Sequence, residues 1–285
     1  MVKRAEKKSS KAERGPRKVR KSMLKKLMKY DYRAQFRILG PCYLAVACLT
    51  LIASVCIAIL KSSNSDIAAW CIASTNTVYG LAIAVSAFFS FFNFLYCYYK
   101  SFFSKEGYLT LSIPATPEEH IWSKTITGFV VNFLTLLVIL CSLLLHGLIS
   151  DWISAEDFQR FFLWFGRWIA EDPLCNVTWV IEVLLLFVTL LVFSMYVYTS
   201  CICIGQMFAK NRVLMAIVAY LIASAVFQVI GSFLAMGGFL ASVSEFFQWI
   251  GQTGALAILI LFFGGLDIGG FFIQRNILKN KVNLV

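Results

Sequence analysis

Runs of about twenty apolar residues recur along this chain, and that recurrence limits its fold more than any other feature. A helix rises about 1.5 Å per residue, so about 20 apolar residues cross a bilayer core of about 30 Å with every backbone amide bonded internally. The runs fall at roughly 38–60, 70–96, 125–149, 175–205, 213–236 and 253–274. Only 14% of the residues are charged, against about a quarter in a soluble domain. These runs predict an all-α, polytopic membrane protein with six transmembrane helices.

Orientation follows from Lys and Arg, which concentrate in short cytoplasmic loops. Fifteen of the 26 precede the first span, ending at Arg37. Lys100, Lys105, Lys124, Lys210, Arg212, Arg275, Lys279 and Lys281 fall on the same side. Lys61, Arg160 and Arg167 fall on the other, beside Asp151, Glu156, Asp157, Glu171 and Asp172. Both the N- and C-termini are therefore expected in the cytoplasm.

Residues 1–21 hold ten Lys and Arg and almost nothing apolar, which predicts a disordered basic cytoplasmic tail. Its expected partner is the lipid bilayer surface and no specific nucleic acid, since anionic lipid is always within reach. From Ser22, apolar Leu24, Met28, Tyr32 and Phe36 recur every four residues. Basic Lys25, Lys29, Arg33 and Arg37 do the same. On a helix over 22–39 these are adjacent stripes, expected to lie in the cytoplasmic interface as an amphipathic helix. Gly40-Pro41 is expected to break it before the first span. A second interfacial segment is expected outside, over 151–172, where Phe158, Phe161, Phe162, Phe165, Trp168 and Ile169 follow helical spacing between acidic ends. The stretch GGFLASVSEFFQWIGQTG before the last span reads as re-entrant or interfacial.

The loop over 98–117 is too charged for hydrocarbon and too apolar for a plain solvated turn. Its end, Thr116-Pro117-Glu118-Glu119, has a hydroxyl N-cap, Pro at the first helical position and Glu at the third, which predicts a capping box. Its first half presents Phe102, Phe103, Tyr108, Leu109 and Leu111. Such a cluster is either a docking surface or a set of aromatics dipping into the headgroups, and the residues alone leave both open.

Glu106-Gly107-Tyr108-Leu109, then Leu111, Pro114 and Ser123-Lys124, resemble the loop between spans two and three of ABC-2 type transporter permeases. They are especially similar to small bacterial permeases with an EGYL…LP…SK pattern. LMKYDYRAQFRILGP is similar to the connecting helix that precedes their first span. The resemblance implies that residues 22–285 form the transmembrane domain of an ATP-driven exporter in the plasma membrane. It further implies that the 98–117 loop couples to a separate ATPase subunit. Glu106 would then fix a short helix, Gly107 its turn, and Tyr108, Leu109 and Leu111 the apolar contact, flanked by Phe102, Phe103, Pro114 and Lys124. The partners implied are two ABC ATPase subunits and a second permease copy, identical or related. ATP and Mg would sit on the ATPase, with no cofactor on this chain, which has no G-x-x-x-x-G-K-[ST] phosphate loop.

Two other functions fit the same spans: an ATP-independent carrier or channel, and an immunity or sensing subunit that binds a peptide antibiotic. A membrane enzyme is disfavoured because the spans hold no His, Cys or carboxylate pairs at active-site spacing. Cys201-Ile-Cys203 lacks metal-ligand spacing, and neither His120 nor His146 completes a site. Glu182 and Asp267 are the acids inside the spans, each costing about 2.5–3.5 kcal/mol at a helix centre. Asp267 lies in GGLDIGG, where Gly265 and Gly269 are spaced for close helix approach. It is expected either to line a pathway or to be hydrogen-bonded across a tight helix pair.

Overall fold

The computed structural model describes residues 15–61, 65–104, 107, 115–208, 211–236 and 239–280. The basic tail up to residue 14, and Glu106, Tyr108, Leu109, Leu111 and Pro114 of the loop, lie outside the described residues. Among the described residues the chain forms seven helices: α1 (Gly15–Leu60), α2 (Asp66–Phe103), α3 (Pro117–Ile149), α4 (Ala155–Glu171), α5 (Pro173–Gly205), α6 (Arg212–Met236) and α7 (Phe239–Asn280). All but α4 are long and apolar enough to cross a membrane. The starts follow local chemistry. Thr116 caps α3 in the expected capping box with Glu119, Ser154 and Asp157 form another on α4, and Asp172 caps α5 ahead of Pro173.

The six spans pack as two three-helix units, α1–α3 and α5–α7. In each, the first and third helices share the longest contact, the first and second the next, and the second and third the least. Within the first unit, α1 and α3 run parallel in a fixed register. Asp31 meets Ser123, Tyr43 meets Thr135, Thr50 meets Ser142 and Ser54 meets His146, each pair 92 positions apart. In the second unit Gly264 faces Thr189, and Gln274 bonds Thr199, again in parallel. Chain direction makes the second unit inverted relative to the first. The seam between them is formed by α3 against α7 and α5, with α2 touching α5.

Polarity is arranged for lipid. Leu44, Phe88 and Leu261 point outward, well exposed, whereas Thr50, Ser54, Thr127 and Gln274 are buried. Water cannot satisfy a hydroxyl in hydrocarbon, so polar side chains turn inward to one another.

The expected break at Gly40-Pro41 is absent. Helix α1 continues through Pro41, and the 92-residue register to α3 holds on both sides of it. Proline removes only the donor for the Arg37 carbonyl, and near the headgroups water can replace that bond. The 22–39 segment is thus an extension of the first span packed along α3, with Gln35 and Leu39 buried, rather than a separate helix lying flat. Lys25, Lys29, Arg33 and Arg37 do keep an exposed stripe. The segment before the last span is helical, and α7 bends at Gly251, whose φ of 83° suits a residue without Cβ.

Candidate functional site

The cytoplasmic ends of the helices converge on the two flanks of the 105–115 loop. On the α2 flank, Tyr98 and Phe102 join Cys203 of α5 and Ile277 of α7 in a buried cluster, with Phe103 packed against it. Phe102 is fully buried, so it is a core residue and no part of an exposed docking surface. The cause is register: Phe94, Tyr98 and Phe102 lie four apart on the buried face of α2, and that face carries on past the membrane edge. Gly107 closes the turn with its amide on the Ser104 carbonyl at 2.8 Å. A Cβ there would stand 2.4 Å from the Phe102 carbonyl oxygen, so no other residue fits without moving the backbone.

On the α3 flank, the capping box starts the helix and His120 is buried edge-on to Phe102. Lys124 is buried too, paired with Asp31 of α1, which also accepts from Ser123 at 2.8 Å. Nearly two turns nearer the loop, Glu118 meets Arg275 of α7 at 2.7 Å. The buried Gln274 accepts from the Tyr98 hydroxyl at 3.1 Å and donates to Thr199 at 2.7 Å. These bonds tie α1, α2, α3, α5 and α7 together immediately beside the loop.

Above this junction a ladder of hydroxyls rises between α1, α2 and α3. Thr50 donates to the Val46 carbonyl, and Thr135 to that of Val131. Each must therefore accept from its side-chain neighbours. Tyr79 then donates to Ser142 at 2.6 Å and Ser142 to Thr50 at 2.6 Å. Tyr43 and Ser90 both reach Thr135 at 2.7 Å. Higher up, His146 lies between Ser54 at 3.0 Å and Asn76 at 3.1 Å and packs on Tyr79. At the outer end, Lys61 donates to Ser150 O and Asp151. The ladder makes the first unit a single clamped body. Its signal in the sequence is the 50, 54 and 142, 146 spacing of polar residues on two helices, which reading each span separately does not reveal.

The structure distinguishes the two expectations for the intramembrane acid Asp267. Glu182 Oε2 and Asp267 Oδ1 are buried atoms with no hydrogen-bond partner among the described residues. Among the described residues, Asp267 Oδ1 therefore makes no bond across a helix pair. Gly265 and Gly269 have nothing within 4 Å, whereas Gly270 abuts Tyr196 of α5. The close approach falls on the other face of α7.

No family model, curated protein or solved structure matches the chain. The six apolar helices make it a multi-pass membrane protein.

Proposed function

We propose that the chain is the transmembrane permease subunit of an ATP-driven exporter, moved by a separate nucleotide-binding subunit that docks on the 98–117 loop. One observation carries the reading: both flanks of that loop are anchored at the cytoplasmic junction, through the buried Phe102 on α2 and, on α3, through the buried Lys124 and the part-exposed Glu118–Arg275 pair. A pull on flanks held this way moves α2 and α3, and the polar ladder makes α1 follow them. The EGYL resemblance supplies the identity of what pulls.

In this reading the first unit rocks as a body against the second, with the Tyr98–Gln274 and Glu118–Arg275 links as pivot. ATP can bias that motion only through a difference in docking between the two nucleotide states. Two ATPase copies and a second permease copy complete the assembly, in the plasma membrane. In the complex purified from its native membranes, Glu106→Ala and Gly107→Val should leave the subunits associated. ATP hydrolysis should continue while transport falls at least tenfold. Normal coupling in both variants would remove the loop from the mechanism.

A further inference from the structure

The seam between the two units holds a half-open pocket of about 340 Å³, bounded by α3, α5 and α7. Its walls are almost wholly apolar, and four of them are aromatic: Trp122 and Phe129 of α3, Tyr196 of α5 and Phe271 of α7. Trp122 and Phe271 stand with ring centroids 5.7 Å apart, and the Tyr196 hydroxyl stands 3.4 Å from Thr125. One carboxylate lines this space, Asp267, whose Oδ1 is buried and bonded to nothing among the described residues. The basic residues within reach along the same helices are engaged elsewhere, Lys124 with Asp31 and Arg275 with Glu118. Lys279 lies about 18 Å further along α7.

An uncompensated carboxylate in an apolar, aromatic-walled space has a definite chemical complement. It is costly to leave unpaired, and the faces of Trp, Tyr and Phe attract cations at close range. A volume of this size is typical of the smaller organic-ligand sites, about 300 Å³ and upward. We propose that the cavity binds an amphipathic organic cation, with its charge against Asp267 and its apolar body against Trp122, Phe129, Tyr196 and Phe271. The seam is where the two units move against each other, so an occupant there is handled by the same motion. That this cation class is what the chain exports rests on the permease reading; the binding itself does not.

Tetraphenylphosphonium and tetraphenylborate test this, being alike in size and shape and opposite in charge. With the purified full chain in nanodiscs, tetraphenylphosphonium should bind saturably at one site per chain, and tetraphenylborate should not displace it. Asp267→Asn should weaken the cation at least tenfold, and Asp267→Glu should retain most of the affinity. Equal competition by the anion, absence of saturable cation binding, or an unaltered affinity in Asp267→Asn would overturn the proposal. Should Asp267→Asn not fold, the cation–anion pair on the unaltered chain decides alone. Saturable cation binding by a chain whose native membranes yield no nucleotide-binding partner would refute the exporter reading and leave the site standing. A coupled complex that binds none would do the reverse.

Discussion

Lys124 shows how little a residue's type says about its task. Its position in the sequence counts toward the cytoplasmic charge, yet its ammonium is buried against Asp31, with the Phe102 ring 6.0 Å away. Breaking a buried pair leaves one charge without a partner and costs about 3–5 kcal/mol. Lys124→Met alone should therefore lower the unfolding temperature of the detergent-solubilised chain sharply, and Asp31→Asn with Lys124→Met should recover most of the loss. Lys61–Asp151 is the contrast, with its side chains 40% and 77% exposed. Such a pair contributes about 1 kcal/mol or less, and Lys61→Met should be close to silent. The sequence could rank neither pair, because the 93 positions between Lys124 and Asp31 are bridged only by the parallel packing of α1 and α3. Asp267 was visible as an acid among glycines. Its bare oxygen and aromatic walls were not, since they come from three helices.

At the level of elements, start signals were legible and breaks were not. Thr116 and Pro117 place the beginning of α3 because a cap is a contact within four residues. Gly40-Pro41 has the same local look of a boundary, yet α1 passes through it, since packing along α3 outweighs one lost amide bond. The outer helix α4 is set by its own capping box, where hydrogen bonds from Ser154 hold the Asp157 carboxyl below its usual value. Such a group stabilises its helix while charged. The contribution is complete above the ordinary aspartate value of 3.8 and is lost as pH falls through the lowered one. Hydrogen exchange at the Asp157 and Phe158 amides should accelerate, relative to amides in α3, only below that value. Ser154→Ala should weaken this pH dependence, leaving only the part due to the residue 154 amide and Arg160. The polar ladder makes a second demand on its helices. His146→Leu removes the bonds to Asn76 and to Ser54, which keeps only its own bond to the Thr50 carbonyl. Since hydrogen bonds between membrane helices average about 0.6 kcal/mol each, a loss of about 1 kcal/mol is expected in a thermal-unfolding assay. A neutral result would mean that lipid or water satisfies those groups instead.

The whole molecule is two inverted three-helix units with a junction at the cytoplasmic end and cavities along the seam. Six spans and their direction follow from hydropathy and positive charge; the division into units does not, because apolar residues look alike whether they face lipid or another helix. The division matters for function. In the proposed reading, a clamped first unit carrying both loop flanks passes a pull from outside the membrane to the seam, where the carboxylate pocket lies. The central claim is that another subunit does the pulling. It is tested most directly by capturing tagged chain from its native membranes in mild detergent, identifying what accompanies it by mass spectrometry, and assaying ATP hydrolysis. The account predicts a stoichiometric partner with a phosphate-binding loop, and hydrolysis that Glu106→Ala uncouples from transport. A monodisperse preparation with no such partner would contradict it and make the chain an ATP-independent carrier.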